Sequence, residues 1–132
     1  MRIAADTNVL VRFLTEDGAA QASLAAPAIE QAEAVALSTV VLCETVWVLR
    51  RAFQRPHQAI AATLGDLIDS RTVESDRPTA EAGLAQLERG GDFADGVILF
   101  DARRGGAAQF VAFDRALAAR AGSQPVRVPE GY

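Results

Sequence analysis

The sequence contains no lysine, and its 13 basic residues are all arginine. This absence excludes every mechanism that requires a lysine side chain. The single cysteine, Cys43, leaves no intramolecular disulfide framework and no thiolate metal site. The longest stretch without a charged residue covers only positions 18–29, which is too short to span a bilayer. We therefore expect a cytoplasmic protein without a membrane segment.

The composition that remains is that of an ordinary folded domain. The chain has 132 residues, of which 50% are hydrophobic, and a chain of this length buries roughly 68% of its unfolded surface. The net charge of −4 argues against a generally basic nucleic-acid-binding surface, although it permits a local cluster of arginines. We find no internal repeat and no linker, so we predict a single domain over residues 1–132.

Short apolar runs alternate with longer segments that have helical periodicity. The predicted strands are 3–5, 34–37, 71–73, 109–113 and 125–128. The predicted helices begin at Thr7 or Asn8 and then cover about 17–33, 40–53, 56–68, 78–89, 92–104 and 115–121. This alternation is typical of a parallel sheet with helices on both faces. The predicted fold class is therefore α/β, a three-layer α/β/α arrangement with a central parallel sheet.

Two aspartates stand where a predicted strand gives way to a helix. Asp6 follows the first apolar run, and Asp114 follows the run Phe110-Val111-Ala112-Phe113. In open α/β sheets, ligands bind in the crevice beyond the carboxyl ends of the strands. Each aspartate by itself is equally compatible with a helix N-cap, which is a common role for Asp at such a junction.

Glu44 lies within a largely apolar helical segment. Its neighbours one turn away are all apolar: Val40, Val41, Trp47 and Val48. We therefore expect Glu44 on the buried face of this helix. Because an ionised carboxylate is costly to bury without a partner, it should bind either a metal ion or an arginine, for which Arg12 and Arg50 are candidates.

The segment Asp92-Phe93-Ala94-Asp95 supplies two further acids. Asp92 has the position of a helix N-cap, and Asp95 then occupies the third helical position of a capping box. Asp reaches back to the cap less well than Glu does, which weakens the capping interpretation of Asp95. Since Asp95 shares a helix face with Ile98 and Leu99, we expect its carboxylate to point inward.

Four of these acids are expected at the same edge of the predicted sheet: Asp6, Glu44, Asp95 and Asp114. Like charges that meet at one place repel each other and raise one another's pKa values unless a cation is present. Carboxylate oxygens without His or Cys suit Mg²⁺ or Mn²⁺ rather than zinc. The pattern therefore predicts a divalent-metal site for the hydrolysis of phosphate esters.

Taken together, Asp6-Thr7-Asn8 after a strand, Glu44 in a helix, Asp92-Phe93-Ala94-Asp95 and Phe113-Asp114 resemble a PIN-domain ribonuclease. The similarity covers the whole chain in order and length, and it is greatest to the VapC-type toxins of bacterial toxin–antitoxin pairs. The resemblance implies a PIN-like fold and an Mg²⁺-dependent endoribonuclease that is the toxin of a type II pair. It also implies an RNA substrate, a homodimer and a cognate antitoxin protein.

The resemblance also implies roles for individual residues. The metal would be held by an acidic quartet, namely Asp6, Glu44, Asp95 and Asp114. Asp6 and Asp95 would be direct ligands, whereas Glu44 would act directly or through a bound water. Thr7 and Asn8 would orient Asp6 and line the pocket, and Asp92 would act on the metal at longer range. The family usually has Thr or Ser two residues before the last Asp, where this chain has Ala112.

An acidic protein that binds RNA must hold the phosphate backbone locally. The candidates for this contact are arginines near helix ends: Arg50, Arg51, Arg55, Arg103, Arg104 and Arg115. For those at the end of the 40–53 helix, a favourable interaction with the helix dipole is a sufficient explanation by itself.

Several alternatives to a toxin remain open. A PIN nuclease in RNA maturation would have the same acidic site. A response-regulator receiver requires a lysine, which is absent, and a haloacid-dehalogenase-type phosphatase requires a second acid where Asn8 stands. A non-catalytic metal-dependent adhesion module would need serines at the positions of Asn8 and Leu10.

Overall fold

The computed structural model describes residues 1–131, and the chain divides into two compact units. The first unit comprises Met1–Arg77, and the second begins at Pro78. The predicted α/β class is confirmed, since every strand pairing in either unit is parallel and helices connect the strands.

The first unit contains a three-stranded parallel sheet in the order β1-β2-β3. Its strands are β1 (Arg2–Ala4), β2 (Ala34–Ala36) and β3 (Val73–Glu74). Val35 lies opposite Ile3 on one side and Val73 on the other. Two helices connect β1 to β2 and two connect β2 to β3: α1 (Thr7–Thr15), α2 (Ala19–Glu30), α3 (Thr39–Arg51) and α4 (His57–Asp69).

Helical periodicity determines which side chains of α3 and α4 are buried. The buried residues of α3 recur at intervals of three, one and three: Leu42, Thr45, Val46 and Leu49. Those of α4 follow a similar spacing: Ile60, Ala61, Leu64, Leu67 and Ile68. Together with Leu10 and Val11 of α1 and Val35 of β2, they form the apolar core of the first unit.

Up to residue 131, the second unit contains a two-stranded parallel sheet and three helices. Helix α5 (Arg77–Glu88) begins at the last residue of the first unit. It is followed by α6 (Phe93–Arg104), β4 (Phe110–Val111), α7 (Arg115–Arg120) and β5 (Val126–Arg127). Strand β4 pairs with β5 in parallel, with Phe110 opposite Val126.

Two glycines allow α5 and α6 to approach each other closely. A Cβ atom on Gly96 would lie 2.4 Å from the carbonyl oxygen of Ala82, and one on Gly83 would lie 2.6 Å from the ring of Phe93. Phe93 is completely buried. The absence of side chains at these two positions therefore sets the distance between the helices.

The observed elements lie within a few residues of their predicted positions. No helix in the described part of the chain is both long and apolar enough to cross a membrane. The strands of the described residues form two sheets, each within one unit.

Replacing Gly96 by Ala should destabilise the protein, because the new Cβ would overlap a backbone oxygen that cannot rotate away. Overpacking of this kind costs about 1–3 kcal/mol, which exceeds the roughly 1 kcal/mol that Ala gains over Gly in a helix. Urea unfolding monitored by circular dichroism measures the difference in the free energy of unfolding.

The matched control is Gly65→Ala in α4, where no atom lies within 4 Å of the added Cβ. This variant should gain about 0.5–1 kcal/mol from the better helix propensity of Ala. If Gly96→Ala were stabilised as much as Gly65→Ala, the close approach of α5 and α6 would be refuted.

Candidate functional site

Asp6 is the N-cap of α1, and only one of its two carboxylate oxygens is used in the cap. Its Oδ1 accepts a hydrogen bond of 2.9 Å from the backbone N–H of Val9, and its backbone is extended, with φ −83° and ψ 172°. Its Oδ2 has no hydrogen-bond or ion-pair partner among residues 1–131. Helix capping and ligand binding are therefore compatible at Asp6, because the cap orients the carboxylate and uses only one of its oxygens.

Glu44 is exposed, so the prediction that it lies on the buried face of its helix was wrong. Helix α3 is apolar on more than one side, and the face packed into the core centres on Leu42, Thr45, Val46 and Leu49. Val40 and Trp47, which suggested burial, are themselves 67% and 58% exposed. Counting apolar neighbours failed here because Thr45, a polar residue, marks the true buried face.

The partner of Glu44 is a threonine rather than an arginine. Thr7 donates a hydrogen bond of 2.8 Å from its Oγ1 to Oε1 of Glu44. The two arginines considered as partners are engaged elsewhere: Arg12 forms an ion pair with Asp17, and Arg50 donates to the carbonyl of Arg55. Thr7 therefore fixes the orientation of Glu44, whereas the resemblance implied that it orients Asp6.

In the first unit, α1 thus presents two consecutive residues that position acids. Asp6 begins the helix and Thr7, its first residue, holds Glu44 of α3. Asn8 follows in the same turn and is exposed. These four side chains, which the sequence analysis selected, belong to one locality at the N-terminus of α1.

Two of the acids in the second unit are also helix N-caps. Asp92 accepts a hydrogen bond of 3.4 Å from the N–H of Ala94 at the start of α6. Asp114 accepts bonds of 2.9 and 3.1 Å at its Oδ1 from the N–H groups of Ala116 and Leu117, which begin α7. Ala112, which stands where the family usually has a hydroxyl, donates only its backbone N–H, to the carbonyl of Arg127.

Asp95 lies in the first turn of α6 and is half-buried. The expected inward direction is only partly met, because Leu99 on the same face is buried whereas Ile98 is 47% exposed. Burial raises the pKa of the Asp95 carboxyl above its ordinary value of 3.8, and the negative charges of Asp92 and Asp114 raise it further. Arg120 partly opposes this rise in pKa.

Arg120 is a charged residue near the acids that the sequence analysis did not select. It is the last residue of α7, six positions after Asp114, and its charge acts on Asp95. Nothing in the local pattern distinguishes it from other arginines at helix ends. Its charge acts on Asp95 only because α7 is placed near α6 within the second unit.

The acids of the second unit supply the type of donor atom that a divalent cation prefers, but, among the described residues, not a close enough arrangement. Their donors are carboxylate oxygens, which Mg²⁺ and Mn²⁺ prefer, and a bound cation would counter the same repulsion that Arg120 counters in part. Within residues 1–131, no group of three or more His, Cys, Asp or Glu side chains is arranged closely enough to hold a metal ion.

The candidate RNA-binding arginines of the first unit lie at and just after the end of α3. Arg50 and Arg51 are in its last turn and are exposed. The guanidinium of Arg51 stacks over the exposed ring of Trp47, 5.6 Å from its centroid. Arg55 is half-buried, and its carbonyl accepts the hydrogen bond from Arg50.

The candidate arginines of the second unit have individual partners. Arg103 donates a bond of 2.9 Å to Oγ of Ser123, and Arg104 pairs with Asp101 and stacks on the ring of Phe100. Arg115 is the first residue of α7 and is exposed.

Replacing Asp95 by Asn should raise the melting temperature of the metal-free protein at neutral pH. Because folding raises the pKa of this carboxyl above 3.8, the native state retains its proton more strongly than the unfolded chain. The free energy of unfolding therefore falls as the pH rises from 3.8 to the pKa that this carboxyl has in the folded state. Above that pKa the loss of stability is complete. Asn has no charge and avoids this loss.

Thermal unfolding in EDTA at several pH values measures this effect, with Asp66→Asn on the exposed side of α4 as the control. The advantage of Asp95→Asn should be largest near pH 7 and should shrink as the pH approaches 3.8. An advantage that grew on acidification would contradict the assignment.

One comparison with known proteins identifies a family. The family model described as "PIN domain" matches residues 3–123, which includes every candidate acid in both units. A search of curated proteins found no match. PIN domains are generally metal-dependent nucleases, so the match supports nuclease activity. The chain belongs to the PIN domain family.

Proposed function

We propose that this protein is an Mg²⁺-dependent endoribonuclease in which Asp6, Glu44, Asp95 and Asp114 hold the metal, with Mn²⁺ as an acceptable substitute. The observation that carries the proposal is the match to the PIN domain family over residues 3–123, which includes all four acids. In addition, burial and the nearby charges of Asp92 and Asp114 raise the pKa of Asp95. A divalent cation bound there would offset the repulsion between these acids. The match to the family over residues 3–123 supports the assignment of both units to one PIN domain.

The protein contributes pre-oriented oxygen ligands. Asp6 and Asp114 each use Oδ1 to cap a helix, so the Oδ2 atom of each is left for a cation. Thr7 restrains Glu44 in the same way through Oε1. Because no three acids among the described residues stand close enough to hold a metal ion, binding would have to draw the acids closer together. When bound, the cation supplies neutralisation of phosphate charge and activation of the attacking water. No covalent enzyme intermediate is required.

Asp92 has a supporting role in this proposal. It caps α6 and thereby fixes the turn from which Asp95 projects, and its negative charge acts on Asp95 through space. Any influence of Asp92 on the cation is therefore exerted through Asp95 or at longer range. Thr7 and Asn8 complete the surroundings of the acids at the start of α1.

The more specific part of the proposal is a toxin role. We propose that the protein is the toxin of a type II toxin–antitoxin pair that acts in the cytoplasm as a homodimer and is inhibited by a cognate antitoxin. The support is the resemblance of its acidic motifs to those of VapC-type toxins. The arginines near helix ends, Arg50, Arg51, Arg55, Arg103, Arg104 and Arg115, would contact the RNA backbone.

The variants Asp95→Asn and Asp92→Asn should distinguish the proposed metal ligand, Asp95, from the helix cap, Asp92. Asp95→Asn removes a charged ligand and should lower RNA cleavage by more than about 100-fold, since loss of an outer-sphere partner alone costs about 10–100-fold. Asp92→Asn should lower cleavage by at most about tenfold, at the low end of that range. Asn caps helices well and can replace Asp92 in the cap, and Asp95 makes no capping bond, so both variants should remain folded.

The measurement is cleavage of RNA by each purified variant in Mg²⁺, with folding checked by circular dichroism. Equal losses in the two variants would make Asp92 a ligand in its own right, and full activity of Asp95→Asn would overturn the proposal. Mapping the RNAs cut after brief expression in cells separates a toxin, which cuts abundant RNAs and arrests growth, from a nuclease of RNA maturation.

A further inference from the structure

The exposed face of α3 carries the only tryptophan in the sequence. Trp47 is 58% exposed, and Val40, two turns before it, is 67% exposed. Because they are seven residues apart, the two side chains lie on the same side of the helix, opposite the residues that pack into the core. Helix α3 therefore presents a large planar apolar side chain to solvent that the core of the first unit does not use.

An exposed apolar residue by itself needs no explanation, but the neighbour of Trp47 on this face is one of the proposed metal ligands. Glu44 lies three residues before Trp47, which places their Cβ atoms about 5–6 Å apart on the helix surface. Oε1 of Glu44 is held by Oγ1 of Thr7 at 2.8 Å. The indole ring thus lies beside an acid whose position is fixed.

The other side of Trp47 along the helix is positively charged. The guanidinium of Arg51 lies 5.6 Å from the centroid of the ring, and Arg50 next to it is exposed. The helix dipole explains why basic residues occupy the end of α3. Neither arginine, however, forms an ion pair with a carboxylate among residues 1–131, so their charge is available to an anionic ligand.

The size of this apolar face favours a small planar group over a protein partner. A stable protein interface buries roughly 800 Å² on each partner, whereas one completely buried aromatic side chain contributes about 150–250 Å². On this face of α3 the large exposed apolar side chains are Trp47 and Val40. A nucleic-acid base matches the area of one indole ring, and aromatic rings beside basic residues are a usual way to bind single strands.

We propose that Trp47 is a platform on which one base of a single-stranded RNA stacks, while Arg50 and Arg51 contact the phosphates that flank it. This inference rests on the proposed function, which makes RNA the substrate and assigns Glu44 to the metal. A base inside a duplex is stacked between its neighbours and does not offer a free face, so the platform selects single strands. The stacked nucleotide brings its phosphate close to Glu44.

The fluorescence of Trp47 reports directly on stacking, because no other tryptophan contributes to it. Titration of the full chain in EDTA at low salt with a short oligouridylate should quench this fluorescence saturably, since the base contacts the indole ring. An abasic oligomer of the same length and charge should quench much less, as should the oligouridylate paired with its complement. Equal quenching by the abasic oligomer would refute the proposal, because charge alone would then account for binding.

Variants of Trp47 test the role of the ring in affinity, measured by the fluorescence anisotropy of a labelled oligouridylate. Trp47→Leu should weaken binding by about fivefold to 100-fold, because the stacking of one base is lost. Trp47→Phe keeps an aromatic ring and should recover most of the affinity. Leu24→Ala, an exposed apolar change in α2, is the matched control and should bind as the wild type does. Equal affinity of Trp47→Leu and the wild type would contradict the proposal.

Sedimentation equilibrium tests the alternative occupant, a second copy of this chain. If Trp47→Leu dissociates a dimer and leaves the affinity for RNA unchanged, the face is an interface between copies and the stacking proposal is wrong. A wild-type association state that Trp47→Leu does not alter, together with weaker RNA binding, is the expected result.

Cleavage in Mg²⁺ separates this inference from the proposed function. Trp47→Leu should raise KM for single-stranded RNA with little change in kcat, because it removes a contact with the substrate rather than a metal ligand. Cleavage by the wild type with a KM that Trp47→Leu leaves unchanged would overturn the stacking proposal alone. Saturable quenching of Trp47 by a wild-type protein that does not cleave RNA would overturn the proposed function and support base stacking.

Discussion

The capping hydrogen bond between an aspartate and the first backbone N–H groups of a helix is the interaction on which the acidic residues of this protein depend. It recurs at Asp6, Asp92 and Asp114, where α1, α6 and α7 begin. A cap satisfies helix donors that would otherwise lack partners, and it fixes the carboxylate relative to the helix axis. In each of the three, the cap uses one carboxylate oxygen, Oδ1, and leaves the other available.

Asp95 differs from the three caps in a way that accounts for its electrostatics. It makes no capping bond, and its carboxyl is half-buried between acids whose charges raise its pKa. The negative charge of Asp95 therefore lies near Asp92 and Asp114, whose positions are fixed because they cap helices. Such an arrangement is costly without a cation, and the cation that we propose would offset this cost in the native state.

Most of the helices, strands and helix caps could be predicted from the sequence, because the strongest signals in the sequence are local. Apolar runs, helical spacing and Asp at a strand-to-helix junction located each element and the caps within a few residues. The exposure of Glu44 could not be predicted in this way, since α3 is apolar on several sides and only tertiary packing selects the buried one. The partnership of Thr7 with Glu44 and the effect of Arg120 on Asp95 likewise depend on contacts between segments distant in sequence.

Direct measurement of metal binding tests the central claim that these carboxylates exist to hold a divalent cation. Electron paramagnetic resonance of free Mn²⁺, titrated into metal-free protein, counts the bound ions without any reaction. The account predicts saturable binding by the wild-type protein that Asp95→Asn greatly weakens and that Asp66→Asn leaves unchanged. Equal binding by the wild-type protein and Asp95→Asn would contradict it.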